Sequence, residues 1–215
     1  MKIGIIGAGN VGVGLAKFWV KNGHEILLSY SRDMAKLETE ARSLGNGTRT
    51  GSPSEAASFG DVVVLSVPWT ATLDAVRAAG PLRGKLVLST VNALLPDMSG
   101  MAVGTTTSAA EEIAKLAPEA RVVEALPSFA ELLHSGSTVL EGQQGTIFYC
   151  GDDRDAKQLV ASLIAETGVE AIDAGPLRNA RFIEPAMMLL VQPRIHSGWV
   201  LWPSGCYGTN EAVRQ

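Results

Sequence analysis

Short apolar runs alternate along this chain with longer segments in which apolar residues recur at helical spacing. The runs with the strand pattern span residues 3–6, 26–29, 62–67, 86–89, 122–125, 146–150 and 169–172. Several are apolar on both faces, which is typical of strands buried between two layers of helices. The alternation predicts an α/β fold with a doubly wound, mainly parallel sheet.

Helical periodicity marks the segments between these runs. The first segment has apolar residues at positions 11, 15, 18 and 19 and ends at the Asn-Gly pair of residues 22–23. Further helices are predicted over residues 108–116, 153–167 and 176–192, the last with a kink at Pro185. Residues 193–215 show little periodicity, and we expect an irregular tail there.

A glycine motif lies between the first strand and the first helix, where residues 7–12 read Gly-Ala-Gly-Asn-Val-Gly. In this position the three glycines are typical of dinucleotide binding: one for a tight turn, one for approach to a pyrophosphate and one for close packing. The helix N-terminus offers free N–H groups to the phosphates. A glycine-rich turn without a ligand is the alternative, and the flanking strand and helix favour the dinucleotide.

The end of the second strand indicates which dinucleotide binds. Proteins that prefer NAD usually carry an acidic residue there, about 20 residues after the glycines. This chain instead has Ser31 and Arg32, with Lys36 one turn into the next helix. Hydroxyl and cationic groups suit a 2′-phosphate, so the sequence favours NADP(H). Asp33 is interpreted as the N-cap of that helix.

Two further strand ends are expected at the same edge of the sheet, where ligands of doubly wound sheets bind. The segment 67–69 is expected to flank the cofactor, and the Asn92 amide to hydrogen-bond a carboxamide or ribose. For Pro68 and Trp69, a strand terminator followed by a core aromatic is an equal alternative. The predicted cofactor contacts are Gly7, Ala8, Gly9, Asn10, Val11, Gly12, Ser31, Arg32, Lys36, Val67, Pro68, Trp69 and Asn92.

Candidate acids and bases are few. His24 precedes the second strand, at the end of the sheet opposite the predicted site, and is interpreted as structural. His134 and His196 lie in less regular segments, and His134 is the candidate proton donor. Cys150 ends an apolar run, where a buried and inert thiol is expected. Hydride transfer between two redox rings needs mainly their alignment, so this inventory is compatible with it.

The helix predicted over residues 108–116 carries charged side chains that are interpreted as a solvated face. Glu111 and Glu112 are expected to point outward, and Lys115 is expected to pair with Glu111 at i, i+4 spacing.

The composition excludes several classes of protein. Of the 215 residues, 46% are hydrophobic and 19% charged, so the chain is not disordered. A net charge of −4 without a Lys/Arg cluster argues against nucleic-acid binding. The two cysteines are far apart and predict no metal site, and no apolar run approaches the roughly 20 residues of a membrane span. With no signal peptide expected, the sequence predicts a cytoplasmic protein.

Together these residues resemble the F420-dependent NADP oxidoreductases and the wider group of small dinucleotide-binding reductases around them. The matching pieces lie in the same order at residues 7–12, 23–25, 31–32, 67–69, 108–114, 151–153, 173–177, 179–181 and 184. The resemblance implies a Rossmann-type domain over residues 1–175 and a small C-terminal helical part with its tail over residues 176–215. It also implies NADP(H) at the glycine loop and the deazaflavin F420 beside the nicotinamide, without a dedicated protein acid or base.

Three functions stay open at this point. The first is an NADPH-dependent oxidoreductase whose hydride acceptor is F420, a flavin or another small molecule, because residues 126–129 and the tail from Gln192 depart from the family pattern. The second is a carbonyl or imine reductase with His134 or Tyr207 as proton donor. The third is a non-catalytic NADP(H)-binding sensor or subunit. The apolar C-terminal helix, with Trp199 and Trp202 after it, favours a homodimer through this part.

Overall fold

A computed structural model describes residues 1–30, 33–45, 48–127, 130–140, 142–197, 199–201 and 207–209. Its strands are β1 (Lys2–Ile6), β2 (Glu25–Ser29), β3 (Thr48–Thr50), β4 (Val62–Leu65), β5 (Leu86–Ser89), β6 (Arg121–Leu126), β7 (Val139–Leu140), β8 (Gln143–Gln144), β9 (Thr146–Gly151), β10 (Glu170–Asp173), β11 (Trp199–Leu201) and β12 (Tyr207–Thr209). Its helices are α1 (Asn10–Lys21), α2 (Met34–Leu44), α3 (Pro53–Phe59), α4 (Trp69–Ala79), α5 (Ala109–Leu116), α6 (Ala130–Ser135), α7 (Arg154–Ala165) and α8 (Ala180–Ser197), the last preceded by a 3-10 turn at Leu177–Asn179.

The large sheet has the strand order β10-β9-β6-β5-β4-β1-β2-β3. From β3 to β6 all neighbours are parallel, β9 is antiparallel to β6, and β10 is parallel to β9. The parallel part therefore follows the 3-2-1-4-5-6 order of dinucleotide-binding sheets. The predicted Rossmann-type, mainly parallel α/β fold is confirmed. The order reverses between β1 and β4, which makes the edge above these two strands the expected ligand crevice.

Helices cover both faces of this sheet. Alternate residues of β1 point to opposite faces, so Ile3 and Ile5 belong to the core shared with α1, α2 and α7, whereas Ile6 belongs to the core shared with α3, α4, α5 and α8. Trp19 of α1 is fully buried, and its Nε1 donates a hydrogen bond to the main-chain oxygen of Leu163 at 2.9 Å. This bond joins α1 to α7 and fixes the helix that follows the glycine loop.

Two short elements of the structure, β3 and α3, are not marked by an apolar pattern in the sequence. β3 reads Thr-Arg-Thr and is the edge strand next to β2, so it has no buried face to mark it. The short helix α3 begins with a capping box, in which Ser52 and Glu55 satisfy each other's backbone N–H groups. Its 7 residues are too few to show a helical period clearly.

The C-terminal part differs from the prediction. The helix expected over residues 176–192 runs unbroken past Pro185 and Pro193 to Ser197. Residues 199–201 and 207–209 then pair as an antiparallel ladder, so the expectation of an irregular tail is wrong for these residues. Trp202, Cys206 and residues 210–215 lie outside the described part. Ile183 and Met187 of α8 share a core with the sheet. None of the described helices is both long and apolar enough to cross a bilayer.

Candidate functional site

The turn after β1 requires glycine at two positions. Gly7 has a φ of 120°, and a Cβ there would lie 2.1 Å from the main-chain oxygen of Ser66. A Cβ on Gly12 would lie 2.2 Å from the oxygen of Gly7. The chain thus passes close to β4 and turns directly into α1, which leaves the helix N-terminus at the crevice.

Gly9 differs from Gly7 and Gly12 because a side chain at this position would meet open space rather than the protein backbone. It is the N-cap of α1 in an extended conformation, and no side chain caps the helix. A Cβ built on Gly9 meets no heavy atom within 4 Å. The first N–H groups of α1 therefore face an open volume that any side chain at residue 9 would narrow. This cradle suits the pyrophosphate of a dinucleotide.

A cleft of about 560 Å³ extends from this turn along the edge of the sheet. Its lining consists of Gly7, Ala8, Gly9, Tyr30, Ser66, Val67, Pro68, Thr70 and Ala71. A second helix begins at its wall, since α4 starts after Pro68 and also has no side-chain cap. Two positive helix ends thus border one cleft, which favours an anionic ligand.

The structure brings together five of the predicted contacts in this lining, namely Gly7, Ala8, Gly9, Val67 and Pro68. Asn10, Val11 and Gly12 form the first turn of α1 directly behind them. Trp69 opens α4, is half-buried and packs against the core, as its structural alternative predicted.

At the end of β2, Asp33 accepts a hydrogen bond from the backbone N–H of Lys36 at 3.0 Å and is the N-cap of α2, which confirms that interpretation. Lys36 is exposed in the first turn of α2. Ser31 and Arg32 lie outside the described residues.

Tyr30 is a cleft residue that sequence reasoning missed. It directly follows β2 and lines the cleft with a φ of 58°, the left-handed region that non-glycine residues seldom adopt. Its position at the carboxyl end of the strand next to the glycine loop was the available signal, because such ends surround the ligand in this fold.

Asn92 lies one strand further along the same edge, after β5, and is not part of the cleft lining. Its side-chain amide donates to the main-chain oxygen of Glu184 at 3.3 Å. Because a carbonyl oxygen only accepts hydrogen bonds, the amide nitrogen of Asn92 faces α8, and this contact does not use Oδ1. Among the described residues, this buried Oδ1 has no hydrogen-bond partner. The predicted hydrogen bond from Asn92 to a cofactor carboxamide or ribose stays a prediction.

His24 and His134 lie in different surroundings, and neither lines the cleft. His24 is buried, contacts the N-terminal amine at 3.1 Å and pairs with Glu166 at 2.8 Å, which confirms its structural role. His134 lies on α6, its main-chain oxygen accepts a hydrogen bond from Lys17, and it does not line the cleft. Its Nδ1 is buried and has no partner within the described part of the chain. A proton-donor role for His134 or Tyr207 stays a prediction.

The charged face of α5 is organised differently from the prediction. Arg181 of α8 binds both carboxylate oxygens of Glu111, at 2.7 and 2.6 Å, and this hydrogen bonding lowers the pKa of Glu111. Lys115 pairs with Glu112 at 2.7 Å. The predicted Glu111–Lys115 pair is therefore wrong, because α8 supplies a guanidinium whose planar fork matches the carboxylate.

Cys150 is buried as predicted, and burial raises the pKa of its thiol.

Comparison with known proteins agrees with this geometry. A family profile described as NADP oxidoreductase, coenzyme F420-dependent, matches residues 2–93. The F420-dependent NADP reductase of Methanocaldococcus jannaschii is 30% identical over 89% of this chain and 91% of its own length. That of Methanothermobacter thermautotrophicus is 33% identical over 92% and 90%. A crystal structure from Arthrobacter sp. FB24, provisionally assigned as an F420-dependent NADP reductase, superposes with a TM-score of 0.78 at 28% identity, covering 91% of this chain and 93% of that one.

Proposed function

This chain belongs to the family of F420-dependent NADP reductases, NADP-dependent oxidoreductases, and we propose that it transfers a hydride between NADP(H) and F420. The observation that carries the proposal is the uncapped N-terminus of α1 behind Gly9, which opens into the cleft at the point where the strand order reverses. Backbone N–H groups and a helix dipole at this point suit a pyrophosphate.

Three groups of residues around the cleft would each hold one part of the cofactor. Ala8, Gly9 and the first turn of α1 would hold the pyrophosphate. Tyr30 would lie beside the adenosine half, with Ser31, Arg32 and Lys36 close in sequence to receive a 2′-phosphate. Val67 and Pro68 would flank the nicotinamide half, and the Oδ1 of Asn92 would accept a hydrogen bond from its carboxamide or ribose.

When bound, NADPH would supply the hydride to F420, and the proton that completes the reduction of F420 would come from solvent. The protein's contribution is to hold the two rings in contact and to exclude water between them. Among the described residues that line the cleft, Tyr30 has the one ionisable side chain. It follows β2, on the adenosine side proposed above, so the proposed reaction depends on alignment rather than on a side-chain acid or base.

Steady-state assays with NADPH and a panel of acceptors test this function. We expect turnover with F420 to exceed turnover with FMN, FAD, quinones and carbonyl or imine substrates by at least about tenfold. Faster reaction with a flavin would assign the flavin as acceptor. Faster reaction with a carbonyl, lost in the His134→Gln variant, would indicate the reductase alternative. Tight NADPH binding without turnover on any acceptor would indicate a sensor or subunit.

Preference for NADPH over NADH is expected to depend on Arg32. The Arg32→Ala variant should raise KM for NADPH by roughly 10- to 100-fold and leave KM for NADH nearly unchanged, because a hydrogen bond to a charged group contributes about 1.5–3 kcal/mol. Arg83→Ala is the matched control, since Arg83 is an exposed arginine paired with Glu119. Equal losses for both cofactors in Arg32→Ala would contradict the assignment of the 2′-phosphate site.

We also propose a homodimer through α8. Phe182 and Leu189 lie seven residues apart and are 68% and 67% exposed, so one face of this helix presents large apolar side chains. Sedimentation velocity should show a dimer that becomes a monomer in the double variant Phe182→Asp/Leu189→Asp. The exposed Leu116→Asp on α5 is the control, and a monomeric parent protein would refute the proposal.

A further inference from the structure

Two buried carboxyl groups, those of Glu124 and Glu184, interact with each other in the core, and Glu184 also contacts Asn92. Glu124 is in the middle of β6, opposite Ser89 of β5 and Cys150 of β9, and is fully buried. Glu184 of α8 is 1% exposed. One of its carboxyl oxygens, Oε1, accepts a hydrogen bond from the backbone N–H of Ala110 at 3.3 Å, in the first turn of α5. The main-chain oxygen of Glu184 is the acceptor that holds the Asn92 amide.

These carboxyl groups lack donors in the part of the chain that the structure describes. Neither oxygen of Glu124 has a hydrogen-bond partner, and Oε2 of Glu184 has none. Carboxylates only accept hydrogen bonds, so two ionised groups here would repel each other without compensation. With one proton on Glu124, its hydroxyl can donate to Glu184. Burial also raises the pKa of Glu184, but the backbone N–H groups at the N-terminus of α5 oppose this shift and favour the charged form of Glu184. Burial, followed by the charge of Glu184, raises the pKa of Glu124 well above its ordinary value.

The surrounding ionisable groups do not replace that proton. Glu111 faces the pair from α5, but its carboxylate is held by Arg181. Cys150 faces it from β9 as a neutral thiol, and Asp152, which follows β9, accepts a hydrogen bond from the backbone of Leu177.

We propose that Glu124 and Glu184 share one proton and together act as positioning residues for Asn92. The hydrogen-bonded pair holds α8 against β6, and α8 in turn holds the amide of Asn92 so that Oδ1 faces the nicotinamide half of NADPH. This inference rests on the proposed function, because it assigns Asn92 to the cofactor site. The inference goes beyond the proposed function because it assigns a positioning role to two buried acids that do not touch the cofactor.

Loss of the shared proton should weaken cofactor binding. Two negative charges would then face each other in the core, α8 would move away from β6, and the Asn92 amide would lose its acceptor. We therefore expect the Kd and KM for NADPH to rise at alkaline pH, with kcat at saturation little changed. The effect on folding has the same sign. The folded pKa of Glu124 lies above the unfolded value, so stability falls as pH rises from the ordinary glutamate range to that folded pKa.

The test is the pH dependence of NADPH affinity, measured by fluorescence titration without any acceptor between about pH 7 and about pH 10. The parent protein should lose affinity at least about tenfold across this range. Glu124→Gln should remove most of that loss, because its amide donates to Glu184 at every pH. Glu112→Gln, which changes an acid paired only at the surface of α5, should behave like the parent.

A second variant keeps the test decisive if Glu124→Gln does not fold. Asn92→Ala should bind NADPH more weakly at all pH values and with little pH dependence, because the positioned group is absent. A pH-independent affinity in the parent, or an unchanged alkaline loss in Glu124→Gln or Asn92→Ala, would overturn the inference. Failure of the parent to bind NADPH at any pH would instead refute the proposed function.

Discussion

Replacing Gly9 by alanine will raise the Kd for NADPH by roughly 100-fold and leave thermal unfolding of the ligand-free protein unchanged. The backbone of Gly9 is extended, and the added Cβ meets no protein atom within 4 Å, so the fold accommodates it. The same Cβ occupies the volume in front of the first N–H groups of α1. A pyrophosphate displaced from these donors loses one or two hydrogen bonds to a charged group, each contributing about 1.5–3 kcal/mol.

Gly104→Ala is the matched control for this variant. Gly104 also has no heavy atom within 4 Å of a built Cβ and is not among the glycines with a positive φ, so the same methyl group is added there without a clash. NADPH titration and thermal unfolding of both variants separate binding from folding. If Gly9→Ala binds NADPH as the parent does, the pyrophosphate does not lie at this turn.

Trp19→Ala is expected to lower the free energy of unfolding by about 4 kcal/mol, the largest loss of stability predicted for this chain. The indole is fully buried between α1 and α7, and its removal leaves a cavity together with an unpaired carbonyl oxygen at Leu163. Urea unfolding followed by circular dichroism measures the change.

Two controls separate the causes of that loss. Trp19→Phe keeps much of the buried volume and should lose about half as much stability, because the hydrogen bond to Leu163 is absent. Phe182→Ala removes an aromatic ring that is 68% exposed, and under monomeric conditions it should change the unfolding free energy by less than about 1 kcal/mol. A loss below about 2 kcal/mol in Trp19→Ala would mean that α1 and α7 repack around the site.

Residues whose role depends on neighbours in the chain could be predicted well. The strand before residue 7 and the helical stripe after residue 12 are local patterns, so the Gly-rich turn and its place in the fold followed from the sequence. Asp33 as a helix cap is equally local. Tyr30 was missed although its position at the end of the second strand was a signal; its left-handed backbone was unexpected because non-glycine residues seldom adopt it.

Contacts between distant segments were the part that sequence reasoning could not supply. The partner of Glu111 is Arg181, 70 residues away, and local spacing suggested Lys115 instead. Glu124 is a lone acid within the otherwise apolar part of the strand Arg-Val-Val-Glu-Ala-Leu, and this pattern alone could have predicted a buried carboxyl group. An acid in such a run is buried and must find a proton or a partner, but only the fold identifies Glu184 as that partner.

The single reversal of direction in the sheet decides where the end of the chain goes. Because β9 runs antiparallel to β6, the chain leaves β9 at the edge opposite the cofactor cleft, and α8 starts its return from there. By Glu184 the helix has reached Asn92, and at 1.5 Å per residue its remaining turns carry Ser197 about 20 Å further along the axis. Under the proposed function, substitutions in α8 beyond Glu184 would therefore act on the acceptor side of the reaction rather than on the glycine turn. The glycine turn and the first turn of α1 lie within residues 7–12, so such substitutions would leave the pyrophosphate cradle unchanged, and acceptor choice could change while the cradle is kept.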